Sequence, residues 1–160
     1  MKIEEYNQCV DEYADALYGF ALKSVKNEDT AKDLVQDAFE RLWLKLADVQ
    51  SGKGKSYLFM IVHHSAIDFH RKEKLRNDHI KQQQEPILFI PNSDVKEHIN
   101  YAVTLLSEIQ RHLIMLRDYE GYSYQEIGEI TKLSEHQVKV YIFRARKQLK
   151  NYFVAIDNLI

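Results

Sequence analysis

The sequence has one cysteine, two prolines and five glycines among 160 residues, and no apolar run near the roughly 18 to 20 residues a membrane span needs. The lone cysteine, Cys9, excludes an internal disulfide framework and brings no second thiolate for a metal, so it reads as a small apolar filler of the first helix. So few glycines and prolines argue against a β-rich chain, whose tight turns consume both. The N-terminus, Met1-Lys2-Ile3-Glu4-Glu5, is too acidic and too short of apolar residues for a signal peptide. The expectation is an all-α protein that is soluble and cytoplasmic.

Net charge is also nearly lacking, at −2, but its distribution is uneven. Basic and acidic residues number six against eleven in 1–50, seven against four in 51–85, four against seven in 86–133, and five against two in 134–160. Each half of the chain therefore pairs an acidic with a basic segment, as a protein with two DNA-facing surfaces and separate protein-facing ones would. Solvated helix faces alone would give the same pattern.

What is present is helical periodicity. Val10, Tyr13, Ala14, Leu17, Phe20 and Ala21 line one face of a helix over about Glu4 to Val25. Asn27 or Asp29 can cap a second helix to about Ala47, with Ala31, Leu34, Val35, Ala38 and Leu42 inward. After the basic loop Ser51-Gly52-Lys53-Gly54-Lys55, a third helix runs from about Ser56 into the eighties, with Leu58, Ile61, Val62, Ser65 and Phe69 on its inner stripe. Pro86 and Pro91 bracket Ile87-Leu88-Phe89-Ile90, and proline disfavours helix in itself and its predecessor, which places an extended linker over 84–95 between domains at 1–83 and 96–160. The four apolar linker residues suggest a compact, self-masked state.

Three Ser-x-x-Glu/Gln capping boxes punctuate the second half, at Ser107, Ser123 and Ser134. With a preceding helix from about Val95 to Leu106 they define a four-helix module. Tyr124 to about Thr131, the turn Lys132-Leu133-Ser134 and a following helix read as a helix-turn-helix, with Gly128 where the helices approach closely. The last helix buries Val138, Tyr141, Ile142, Ala145 and Leu149. Its other side carries His136, Lys139, Val140, Phe143 and Lys147, with Arg144 on the flank, the composition of a helix placed in the major groove. Ser134, His136 and Gln137 at its N-terminal end would meet DNA first, and Val140 suits a thymine methyl.

The segments Ser123-Tyr124-Gln125-Glu126-Ile127-Gly128-Glu129-Ile130, Leu133-Ser134, Val138-Lys139 and Arg144-Ala145-Arg146 resemble the promoter-binding region 4 of extracytoplasmic-function sigma factors. Ala16 to Ala21, Ala31 to Trp43, Ser56 to Phe59 and Ala66-Ile67-Asp68 resemble their region 2. The resemblance spans roughly residues 6 to 153 in the right order. It implies an alternative sigma factor whose partners are core RNA polymerase, at the clamp coiled coil and the flap, promoter DNA, and an anti-sigma factor that is often membrane-anchored. The clamp contact would fall on Asp33, Gln36, Asp37 and Glu40, three of which (Asp33, Gln36 and Glu40) lie opposite the core stripe of the second helix; Trp43 and Leu44 also lean outward. Downstream promoter recognition and melting would fall on Lys53 and Lys55 of the basic loop and on Phe59, Met60, His63, His64, Ile67 and Arg71 of the third helix, these last read as lying off its core stripe, where aromatic and basic groups suit an unstacked base and its phosphates.

The chain departs from the family at His63-His64, where Arg-Asn is common, at Lys132 in place of glycine, and at Gln137 and Val140 in place of small polar residues. A left-handed lysine at 132 costs roughly 1 kcal/mol against glycine. A zinc site from His64 and Asp68 with His63 or His70 is the alternative reading, disfavoured because structural zinc wants four converging ligands. No catalytic set, cofactor motif or small-molecule site is legible, so the chain is not read as an enzyme. A simple helix-turn-helix regulator with a sensing or dimerisation domain is the runner-up, and a helical adaptor that binds no DNA comes next.

Overall fold

The computed structural model describes residues 1–77 and 94–158. The expected linker, including Pro86, Ile87 to Ile90 and Pro91, lies almost wholly outside the described residues. Within them the chain forms α1 (Ile3–Val25), α2 (Glu28–Leu44), α3 (Gly54–Asn77), α4 (Val95–Leu105), α5 (Glu108–Ile114), a π-helical turn (Met115–Tyr119), α6 (Tyr124–Thr131) and α7 (Glu135–Asp157). Among the described residues there is no strand, and no helix is long and apolar enough to cross a membrane.

Helices α1 to α3 make the first bundle. Lys26 ends α1 in the left-handed conformation, returning its N–H to Leu22 O, and the Asn27 side chain then accepts from the Thr30 N–H to start α2. This two-residue connection folds α2 back on α1 and buries Leu17, Phe20 and Ala21 against Ala31, Ala38 and Leu42. Helix α2 stops at Leu44, short of the expected Ala47. The Lys45 N–H divides between the Arg41 and Leu42 carbonyls, and the turns that follow bring Val49 into the core.

The second bundle is α4 to α7. All three predicted capping boxes form: Ser107 with Gln110, Ser123 with Glu126 and Ser134 with Gln137 each exchange both hydrogen bonds. Lys132 adopts φ 60° at the turn. Gly128 is there for a steric reason, since a Cβ would stand 2.8 Å from the Leu133 carbonyl oxygen. The π-helical turn is not foreshadowed by the sequence. It widens the end of α5, closes on Glu120 N–H to Met115 O, and carries Glu120 and Tyr122 towards α3.

The bundles dock, α1 against α5 and α3 against α6, into one continuous core. Buried Arg111 of α5 clasps both: its guanidinium donates to the carbonyls of Lys23 and Ser24 at the end of α1, and to those of Val103, Thr104 and Leu106 around the end of α4. A cation at two helix C-termini with five carbonyl partners is compensated by dipole and hydrogen bonds together.

Candidate nucleic-acid and polymerase interfaces

The residues singled out from the sequence fall in three sets. The first lies along α2. Asp33, Gln36 and Glu40 are exposed and Asp37 is half-buried. Gln36 Nε2 approaches Glu40 Oε1 at 3.5 Å, and Asp37 pairs with Arg41 at 2.9 Å. At the end of the same helix Trp43 is 47% and Leu44 79% exposed, an apolar pair turned to water beside the acidic face. Trp43 is steadied edge-on by Tyr6, ring centroids 5.1 Å apart.

The second set is the loop before α3 and α3 itself, and here the outward-facing expectation fails for two residues. Phe59 is fully buried, edge-on to Phe20 of α1 and to Tyr122 of the second bundle. His63 is buried against His112 of α5, Nδ1 to Nδ1 2.6 Å. The physical reason is that α3 is packed on two sides, by its own bundle and by the second one. A helix that carries Phe59, Met60 and Ile67 away from its main stripe is apolar nearly all round, and such a helix is buried nearly all round.

Lys55 is likewise partly covered. Its ammonium pairs with Glu120 at 3.0 Å and lies 5.3 to 5.9 Å from the ring centres of Tyr13, Phe59 and Tyr122. Met60 and Ile67 are half-buried, while Lys53 and Arg71 are exposed. His64 is half-buried; burial first and the Lys132 ammonium second hold its pKa below the ordinary imidazole value. Between the bundles a cavity of about 710 Å³ opens beside Lys53, Lys55 and Met60 on one wall and Tyr122, Glu126 and Ile130 on the other. As for the zinc alternative, Asp68 is paired with Arg71 and Lys72, His63 turns to His112, and His70 binds the Ser24 carbonyl. Among the described residues no three His, Cys, Asp or Glu side chains group as metal ligands.

The third set is the outer face of α7. His136, Lys139, Val140, Phe143 and Lys147 line one shallow depression of about 800 Å³, and Phe143 is 69% exposed within it. Arg144 is exposed but stands outside that lining, and Ser134 is exposed at the helix N-terminus. Gln137 is exposed too, yet its amide oxygen accepts the Ser134 N–H at 2.9 Å. The cap uses one lone pair of that oxygen and neither of the amide N–H donors. Tyr124, Arg146 and Lys150 also line the depression and were not singled out from the sequence. Spacing could have found two of them, because Arg146 and Lys150 follow Phe143 and Lys147 by three residues along the same stripe. Arg146 is anchored by Asp118 at 2.8 Å, and Lys139 by Glu135 at 3.3 Å.

Residues 9–76 match the family described as Sigma-70 region 2, and residues 98–149 match Sigma-70, region 4. The chain is 28% identical to the ECF RNA polymerase sigma factor SigM of Bacillus subtilis over 156 residues, covering 94% of each. It is 27% identical to the RNA polymerase sigma factor SigV of the same organism, covering 89% of this chain and 87% of that one. Among solved structures it is similar to the sigma factor RpoE crystallised with the anti-sigma factor NepR from Bartonella quintana, with a TM-score of 0.76 at 25% identity, covering 94% of this chain and 98% of that one. CnrH, solved in complex with the cytosolic domain of CnrY, shares the fold with a TM-score of 0.68 at 23% identity, covering 94% and 88%.

Proposed function

The chain belongs to the family of extracytoplasmic-function sigma factors, and from that premise we propose a division of labour among its three faces. As an alternative sigma factor it binds RNA polymerase and directs it to promoters for initiation. In the proposed division, Asp33, Gln36, Asp37 and Glu40 of α2 engage the clamp coiled coil, with Trp43 and Leu44 covered at the edge of that contact. The α7 depression takes the upstream promoter element, its N-terminal residues at base edges and Lys139, Arg144, Lys147 and Arg146 at phosphates. The loop from Ser51 and the outer side of α3 take the melted downstream element once the second bundle moves away. The first domain spans 1–83 and the second 96–160. The polymerase performs the chemistry, so the chain itself is no enzyme, and it works in the cytoplasm with the chromosome.

The observation that carries this reading is the acidic, solvent-facing row on α2 ending in exposed Trp43 and Leu44, apolar surface that a protein partner covers better than water does. An anti-sigma factor holds the protein inactive in this reading, as supported by the likeness to a sigma factor that was crystallised with one.

The test is capture of core RNA polymerase by the full chain and by a Gln36→Ala/Glu40→Ala variant. Strong capture by the wild type and weak capture by the variant is the expected result. Equal capture by both would move the clamp contact elsewhere. No capture by the purified wild type would overturn the polymerase-binding reading of this surface.

A further inference from the structure

The two bundles are joined by a run of polar side chains in which every link crosses from one bundle to the other. His63 of α3 meets His112 of α5, Nδ1 to Nδ1 2.6 Å. His112 Nε2 meets Ser24 Oγ of α1 at 2.7 Å, and Ser24 Oγ donates to Glu108 Oε1 of α5 at 3.1 Å. Glu108 Oε1 lies 3.1 Å from Nε2 of His70, back on α3. His63, His112 and Ser24 are all buried.

One proton arrangement satisfies the whole run with every ring neutral. His63 Nδ1–H donates to His112 Nδ1, and His112 Nε2–H donates to Ser24 Oγ. The serine hydroxyl then donates to Glu108, and His70 Nε2–H is shared between the Ser24 carbonyl at 2.8 Å and Glu108 Oε1 at 3.1 Å. A buried network with each member satisfied fixes one mutual position of the surfaces that share it.

We propose that the chain His63–His112–Ser24–Glu108–His70 is a proton-gated latch between the two bundles, closed near neutrality and released by acid. It needs neutral imidazoles, because most of the surrounding charge is already positive: Lys26 of α1, Arg111 of α5 and Lys132 after α6 face it. His64 adjoins it on α3, and among the described residues Glu73 on that helix and Glu108 itself bring the negative charge. Burial holds His63 down to about 3 and His112 well below the ordinary value of 6.5, and lowers His70 and His64 as well. Burial also pushes Glu108 up to about 7 from 4.5.

Undocking returns these groups to water, which sets the sign. The two buried histidines would take protons below pH 6.5 only when undocked, so acid disfavours docking through them, by about a hundredfold in all between pH 7.5 and 5.5. Glu108 keeps its proton up to about pH 7 when docked but only to about 4.5 when undocked, so the same acidification favours docking about twentyfold through it. The net is a fall of about fivefold, which His64 and His70 increase. Glu108 thus works as a counterweight, muting the response near neutrality. The latch is independent of which faces touch DNA.

The test is single-molecule energy transfer on the full chain, with dyes on Glu28→Cys and Gln125→Cys. Cys9 is buried and its thiol is raised by that burial, so it stays unlabelled. From pH 7.5 to 5.5 the docking constant of this labelled chain should fall about fivefold or more. Adding Glu108→Gln should steepen the fall to about a hundredfold. Adding His63→Asn/His112→Asn instead should reverse it, so that acid tightens docking. The same pH response in all three, or bundles undocked at neutral pH in the labelled parent, overturns the latch. The two variants have opposite expectations, so simple loss of fold cannot imitate the result.

Discussion

Lys55 Nζ stands 3.0 Å from Glu120 Oε2, an ion pair that fastens the start of α3 to the segment leading into the helix-turn-helix. Tyr122, two residues on, lays its ring against Phe59. A carboxylate on the lysine and an aromatic ring on the phenylalanine are the groups that a nucleotide would present to them as phosphate and base. Glu120→Gln should therefore raise the affinity of the full chain for single-stranded DNA about two- to fivefold at low salt, the scale of one partly screened pair. Fluorescence anisotropy with a labelled oligonucleotide checks this, and the gain should vanish in a Lys55→Ala background.

Arg111 donates to five carbonyls drawn from both bundles. Arg111→Met should destabilise the protein by about 3 kcal/mol or more, because acceptors that stay buried lose their donors. Arg111→Lys should recover little of this, since one ammonium cannot reproduce the guanidinium fork. Urea denaturation followed by circular dichroism gives both values.

At the helix-turn-helix, Gly128→Ala and Lys132→Gly should act in opposite directions. The added methyl at 128 meets the Leu133 carbonyl, which should cost about 1 to 3 kcal/mol and weaken upstream-element binding while polymerase capture persists. Glycine at 132 relieves the left-handed lysine and should add about 1 kcal/mol. Thermal melts and a promoter mobility-shift assay separate the two effects.

Leu44→Ser should leave the melting temperature nearly unchanged, because the side chain is 79% exposed, and should weaken polymerase capture about tenfold. Unchanged capture would remove the apolar end of α2 from the contact.

The helices and caps were readable because they are local: Asn27, Ser107, Ser123 and Ser134 act within three residues of themselves. The exposed face of α7 followed from helical spacing for the same reason. The burial of Phe59 and His63 was not readable by that route, because it comes from a second bundle more than forty residues away in sequence. Nor were Ser24, Glu108, Arg111 and His112 legible as a set, since a mid-helix histidine or arginine carries no mark of a distant partner. The two histidines at 63 and 64 stood out only as departures from the family pattern, and for His63 the structure supplies a reason in its contact with His112. The π-helical turn, which points Glu120 and Tyr122 at α3, left no periodic signature in five residues.

In this arrangement the α2 face stays open while the α3 face is closed over. In the proposed division of labour, recruitment and strand opening are thereby separated in order: polymerase can engage the docked protein first, and the covered helix becomes available only in the undocked fraction. The apparent affinity for the melted element is the intrinsic one scaled by that fraction. An antagonist that prefers the docked form therefore has no need to touch a single DNA-reading residue. At a hundred times its dissociation constant it would thin the competent population about a hundredfold by mass action alone.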